Sequence, residues 1–342
     1  MKYLVIIDNT HNSILECYFS KKVLLQHAIS WGMNLGSKIS KRFREFIRRA
    51  LTIEPVNQKI NIGILTSHAM SARKHSMKNL WDAEFRVFSQ FGEDGIIDLL
   101  LDELQISKPR IMEIGAGDFS ECNSRFALHK RNCSAFLVDM REDLKRGFQE
   151  SEIRWKASVA IEIAKIDEKN IKDIESRALT FLNHIDLISL DIDGIDFWIA
   201  QLMNWDQIKI AVVEYNPVFG AKKSVSVPKD TFNSRFEYHY SGLVYGASLL
   251  AWVEFFARKD MRFVGTNRVG NNAFFVPSSL AGMLPFQIPE ISQLDAYVDW
   301  QIRDSRNQDR TLSFLPLEQA KNLITGVELI DTQTLKRVKF EA

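Results

Sequence analysis

The stretch RIMEIGAGDFSECNSR, residues 110–125, reads as a short buried strand that stops at two glycines and gives way to a helix over 121–131. Glycines at 115 and 117 let the backbone approach a ligand closely, and the amides of the following helix point at it. The next apolar run, SAFLVDM (134–140), carries Asp139 at its end. An acid there can accept from both hydroxyls of a ribose. A tight strand-to-helix turn with a surface Asp is the plainer alternative. The third glycine of G-x-G-x-x-G is absent, since Ser120 stands in its place. No pyrophosphate cradle is therefore supported. Glu113 lies inside the motif, where it can accept from an ammonium group through waters or amides. Together these features favour S-adenosylmethionine over a dinucleotide as the ligand.

Downstream the chain alternates strand and helix. A third strand is expected in 155–163, a charged helix over 167–181, a fourth strand over 186–192, a helix in FWIAQLMNW (197–205) and a fifth strand over 208–216. This rhythm predicts a parallel sheet with helices on both faces. The ending differs. After the helical stretch YGASLLAWVEFFARKD, two apolar runs, Arg262–Thr266 and Asn272–Val276, flank an Arg-Val-Gly-Asn link. That is a hairpin signature, so the last strand should be antiparallel. The fold class is α/β: a mostly parallel sheet with its last strand antiparallel, which by analogy suits a Rossmann-like class I methyltransferase sheet, and a helical N-terminal extension. Upstream, SQFGEDGIIDLLLDEL puts Ile96, Ile97, Leu100, Leu101 and Leu104 on one helical face, with Glu93 and Asp94 in the first turn, where the helix dipole favours acids. Three segments follow: 1–81, a basic and helical extension; 82–280, the methyltransferase-like domain; and 281–342, an unassigned C-terminal extension.

The chain has 342 residues, 46% hydrophobic, with a net charge of +1, ordinary values for a globular protein. The charge is unevenly divided: residues 1–80 hold 13 Lys and Arg against 4 Asp and Glu, and the rest hold 31 against 39. In ISKRFREFIRRAL (39–51), Ile39, Phe43, Ile47 and Leu51 share a helical face, with Lys41, Arg42, Arg44, Arg48 and Arg49 elsewhere. Such a helix either lies on an anionic membrane or glycolipid surface or docks on the main domain. No apolar run approaches the roughly 18 residues of a membrane span, and Asp8 interrupts the N-terminal apolar stretch, so no signal peptide is expected. The cysteines, Cys17, Cys122 and Cys133, are odd in number and lack metal spacing. A cytoplasmic setting is expected; the first of the two alternatives for 39–51 would add peripheral attachment to the inner face of the membrane. No nucleic-acid partner is expected.

The strand Leu187–Leu190 runs into Asp191, Asp193 and Asp196 around one glycine. In a doubly wound sheet these acids border the ligand crevice. Crowded carboxylates raise one another's pKa, which suits a general base. Alternatively Asp193 caps the next helix and Asp196 sits in its first turn. Asp-x-Asp after a strand also serves metal-dependent glycosyltransferases, with Asp191 and Asp193 on a divalent ion. The fifth strand ends in Glu214, Tyr215 and Asn216, facing the same crevice or forming a turn. In the insertion after that strand, His239 is a candidate base, and Tyr238, Tyr240 and Tyr245 line a sugar pocket or pack. Gln90 and Asp94 precede the first strand, where a lid over the cofactor would sit; a capped helix start accounts for them equally.

FSQFGEDGII, EIGAGDFSECNSRF, DLISLDIDGIDFWI, VVEYNPVFG and VGNNAFFV, in this order across about 85–277, together resemble the FkbM-type branch of class I S-adenosylmethionine-dependent methyltransferases, in particular its bacterial members linked to surface-polysaccharide genes. The resemblance implies O-methylation of a sugar or surface-glycan hydroxyl, lipid-linked glycans included. By position, Glu113, Gly115 and Gly117 match the cofactor loop, Asp139 the ribose acid, and Asp191 with Asp193 the motif after the fourth strand. Of the family's Ser-Asn-Thr-Arg, Asn123 and Arg125 survive. A bulky Phe119 departs from the pattern and is placed to narrow the loop. The expected roles are catalysis by Asp191, Asp193 and His239; cofactor binding by Gln90, Asp94, Glu113, Gly115, Gly117, Asp139 and Asp191; and substrate binding by Asn123, Arg125, Glu214, Asn216 and Tyr245. No metal is assigned. A non-catalytic scaffold in surface-glycan assembly is the remaining alternative.

Overall fold

The computed structural model describes residues 56–342. The expected amphipathic helix over 39–51 lies outside the described residues. Residues 56–73 are helical (α1). Then come α2 (Glu93–Glu103), β1 (Arg110–Ile114), α3 (Arg125–Arg131), β2 (Ser134–Asp139), α4 (Asp143–Glu150), β3 (Ser158–Ile163), α5 (Ile171–Leu182), β4 (Leu187–Leu190), α6 (Asp196–Leu202) and β5 (Ile210–Glu214). They are followed by β6 (Val225–Ser226), α7 (Arg235–Tyr238), α8 (Leu249–Ala257), β7 (Met261–Thr266), β8 (Asn272–Pro277), α9 (Leu317–Leu323), β9 (Glu328–Asp331) and β10 (Arg337–Lys339).

Seven strands form the main sheet in the order β3-β2-β1-β4-β5-β8-β7. β1 to β5 are parallel, and β8 lies antiparallel between β5 and β7. This is the class I methyltransferase strand order, with the antiparallel strand that the hairpin signature predicts. Side chains alternate between two apolar layers, as the two-residue period of a strand requires. Met112, Ile114, Phe136, Val138, Ile188, Leu190, Ala211 and Val213 pack one way, with α5, α6 and α8. Ile111, Ala135, Leu137, Leu187, Ile210 and Val212 pack the other way, with α2, α3 and α4. Strands buried on both faces read as continuous apolar runs, which is how β4 and β5 appear in the sequence. Across the second layer, Asp98 on α2 holds Lys130 at 2.7 Å and Arg131 at 2.6 Å, tying α2 to α3.

The C-terminal residues take part in a second, smaller body of structure. β10, β9 and β6 make a three-stranded antiparallel sheet. Its core joins Val218, Phe219, Leu243 and Val244 of the insertion after β5 to Trp300, Ile324, Leu329 and Phe340. Among the described residues, no helix is long and apolar enough to cross a membrane.

At the ends of β1 and β4 the backbones nearly touch. Gly115 has φ of +92°, and a Cβ there would lie 1.5 Å from the Asp191 carbonyl oxygen. Gly117 has φ of +59° with nothing within 4 Å of that position. Gly115→Ala should therefore cost at least about 3 kcal/mol or prevent folding. Gly117→Ala should cost only the left-handed backbone penalty, about 1–2 kcal/mol. Urea unfolding of the two variants checks this; equal midpoints would refute the close approach.

Candidate functional site

The loop after β1 is held from below and from the side by carboxylates. Glu113, buried at the strand end, accepts from the amides of Asn123 (2.7 Å) and Ser124 (2.9 Å) and from the Cys122 thiol (2.8 Å). It thereby shapes the turn that enters α3. Asn123 reaches across and donates to the Ser189 hydroxyl on β4 at 3.1 Å. Asp139 accepts from the Gly117 amide at 2.7 Å and the Arg141 amide at 2.8 Å. Phe119, the expected obstruction, has φ of +73° and is buried. Its ring meets Phe148 edge-on and lies 4.9 Å from the Arg125 guanidinium, so it leaves the space beside Gly117 clear. Arg125 also stacks on Phe88 at 4.1 Å, donates to the Phe119 carbonyl at 3.0 Å and pairs with Glu152 at 3.4 Å. Burial pulls its pKa down from the ordinary value.

Next to this loop, Asp94 organises residues 85–92. One of its oxygens accepts from the amides of Val87, Phe88 and Ser89 at 2.6–2.8 Å. Its other oxygen is buried without a partner. Burial pushes the carboxyl up to about 6, against the pull of the three amides. Gln90 is exposed. Glu93 accepts from the Phe91 amide at 2.9 Å and from the side chains of Asn267 (2.6 Å) and Asn272 (3.2 Å), which lie at the hairpin.

Carboxylates gather where the strand order reverses, between β1 and β4. One carboxylate oxygen from each of Asp191, Asp196 and Glu214 lies within 4.8 Å of the others. Glu214 Oε2 is buried without a hydrogen-bond partner. Burial, and then the neighbouring carboxylates, push Asp191 and Glu214 well above the ordinary range, while Arg235 pulls them down. Asp196 accepts from the amides of Ile192 (2.7 Å) and Gly194 (2.9 Å), and burial raises it to about 6. The expected capping by Asp193 does not occur: the residue before α6 is Ile195, and no side chain caps the helix. Asp193 instead has φ of +55° and turns its side chain, 59% exposed, to Arg235 at 2.9 Å.

Arg235 closes the far wall. It donates to Asp193, to Asp304 at 2.8 Å and to the Gly242 carbonyl at 2.8 Å, and it lies 4.3 Å over the Tyr245 ring. Burial works against its charge, but Tyr245, Asp193 and Asp304 outweigh it and hold the guanidinium above its ordinary value. An ion held by Asp191 and Asp193, as a glycosyltransferase would need, has to compete with this guanidinium. Burial also pushes the Tyr245 phenol well up, with Glu214 adding to the effect, so it keeps its proton and can donate a hydrogen bond.

Two expected site residues are anchors here. Asn216 accepts from the Val218 amide at 3.0 Å and donates to the carbonyls of Leu243 (2.9 Å) and Tyr245 (3.0 Å), pinning the insertion to the end of β5. His239 meets the Ser241 hydroxyl at 2.7 Å and the Tyr240 ring, and its pKa is lowered by burial; those contacts do not include the carboxylates. Arg235, Asp304 and the Asn267–Asn272 pair escaped the sequence reading. Each meets its partner across a large sequence separation; Asn272 lies in the VGNNAFFV block, but nothing in that block points to Glu93.

The loop fits a nucleoside-bearing cofactor. Gly117 borders open space, and Asp139 is half-buried at the end of β2 with lone pairs left on both oxygens. Among solved structures, a coclaurine N-methyltransferase bound to N-methylheliamine and S-adenosylhomocysteine is 13% identical to this chain, with a TM-score of 0.30; the match covers 72% of this chain and 78% of that one. No protein-family model matches the chain, and no curated protein does. The methyltransferase character of the fold rests on its strand order, not on that likeness.

Asp94 yields a pH test. Its carboxyl is raised from 3.8 to about 6 on folding. The folded state therefore binds this proton more tightly than the unfolded state. The stabilisation is fully present below about pH 4 and is lost as pH rises through about 6. Asp94→Asn keeps an oxygen for the three amides and never ionises. Its stability relative to wild type should be greater at pH 7.5 than at pH 4.5, by roughly 1–3 kcal/mol. A difference independent of pH, in urea melts at both values, would contradict the raised carboxyl.

Proposed function

We propose that this chain is an S-adenosylmethionine-dependent O-methyltransferase acting on a hydroxyl of a sugar or surface glycan. The observation that carries the reading is the coincidence of the methyltransferase strand order with an open glycine loop and an acid at the end of β2. The FkbM-type sequence blocks support the sugar class, as does a crevice walled by carboxylates, a phenol and a guanidinium, all partners for hydroxyls.

In this reading Asp139 accepts from the ribose and Gly117 lets the cofactor close on the loop. Glu113 and Asp94 keep the surrounding amides in place. S-adenosylmethionine, when bound, supplies an electrophilic methyl group on a sulfonium. Tyr245 and Arg235 orient the acceptor, and Asp193, the exposed carboxylate of the group, takes the acceptor's proton. Catalysis is then mostly the positioning of two reactants.

Calorimetric titration with S-adenosylhomocysteine, and with NAD for contrast, tests the cofactor. Asp139→Ala should weaken S-adenosylhomocysteine by about five- to hundredfold, the equivalent of about 1–3 kcal/mol, in a folded protein. An unchanged dissociation constant removes the ribose role. Asp193→Asn should leave that affinity intact while methyl transfer to nucleotide-sugar or lipid-linked glycan acceptors falls by roughly 10²–10⁴. Wild-type turnover in that variant would move the base elsewhere.

A further inference from the structure

We propose that Asp191, Asp196 and Glu214 form a binding site for one hard divalent cation, Mg2+ or Mn2+. The three side chains come from the end of β4, the first residue of α6 and the end of β5. One oxygen from each lies within 4.8 Å of the others, a span that a single ion with metal–oxygen bonds of about 2.0–2.4 Å bridges. Proximity of acids alone would not make a site. The independent observation is Glu214: the residue is only 7% exposed, and its Oε2 has no hydrogen-bond partner.

Among the described residues Asp94 also has one buried oxygen without a partner, but three amides hold its other oxygen, and the remaining buried acids are better supplied. Asp98 has Lys130 and Arg131, Asp186 has Lys209 and the Arg110 amide, and Glu93 has two asparagines and an amide. Glu113 has two amides and a thiol. Asp191 and Glu214 lie beside one another with no amide or cation bonded to either carboxylate among the described hydrogen bonds. The nearest guanidinium, Arg235, directs its hydrogen bonds to Asp193, Asp304 and Gly242. Asp196 is oriented by one amide on each oxygen, which leaves a lone pair on each for an ion and is the kind of outer support that fixes a ligand's direction. An all-oxygen set without His or Cys selects Mg2+ or Mn2+ over zinc or copper. The remaining coordination positions go to water or to acceptor hydroxyls; that last step alone rests on the methyl-transfer reading.

The test is titration of Mn2+ into the full chain without any methyl donor, read by the electron paramagnetic resonance of free Mn2+. One site per chain is expected, displaced by Mg2+. Glu214→Gln and Asp191→Asn should each weaken it by about tenfold or more, with a melting temperature equal to or above that of the metal-free wild type. Absence of Mn2+ binding to the wild type up to about 1 mM, or equal binding in both variants, overturns the proposal and leaves a carboxyl pair without an ion. S-adenosylhomocysteine binding is titrated separately, so failure of the cofactor reading and failure of the ion site are told apart.

Discussion

A carboxylate taken out of water needs donors, a cation or a proton, and the C-terminal edge of this sheet gathers such groups. Each loop above the edge takes its shape from the remedy its acid requires. Three amides of residues 87–89 converge on Asp94. The turn at 122–124 closes on Glu113. The 192–194 turn folds back onto Asp196, and the asparagines of the 267–272 hairpin close on Glu93. The walls of the crevice are thus set by acid solvation as much as by apolar packing. Asp191 and Glu214 lie together without such donors among the described hydrogen bonds, at the point where the strand order reverses.

Most of the sheet was legible in the sequence because strands buried on both faces must be apolar throughout, and because the hairpin carried its own turn signal. Element starts were less legible. A helix was expected from 121, yet α3 begins at Arg125, because the amides of 123 and 124 bind Glu113 instead of waiting for a helical turn. The helix expected from 167 begins at Ile171, because Asp167 and Asn170 build a local turn first. Such side-chain bonds compete with the helix. Residues 281–342 showed no readable period, since their apolar side chains are shared among three cores: Leu284 and Phe286 join one layer of the sheet, Leu294 and Val298 the other, and Trp300, Ile324, Leu329 and Phe340 the small body with the insertion.

The candidate site was legible by residue type and not by role. Acids at strand ends could be located, but an acid waiting for a ligand and an acid gripping a loop look the same in sequence. Glu113 and Asn216 both proved to hold backbone groups at short distance. A sequence offers no way to see this, because the groups they hold are main-chain amides and carbonyls that every residue possesses. The same blindness hid Arg235, whose partners Asp193 and Asp304 lie 42 and 69 residues away.

Arg235 also shows how the crevice is divided. Its anchors come from the turn after β4, from the insertion at Gly242 and Tyr245, and from Asp304 in the C-terminal extension. The glycine loop and Asp139 belong to β1 and β2; the loop abuts the turn after β4 at Gly115 but has no described bond to the insertion or to Asp304. One half of the crevice is therefore built by the sheet common to the fold, and the other by segments added to it. Under the methyl-transfer reading the first half recognises the cofactor and the second recognises the acceptor. Change of acceptor then falls to residues 217–248 and 281–342, which contribute to one shared core. A guanidinium held by two carboxylates and a carbonyl, over an aromatic face, is a rigid element. It keeps Asp193 in a left-handed turn that is otherwise unfavourable for a residue with a side chain, so the added segments set the geometry of the carboxylates at the end of β4.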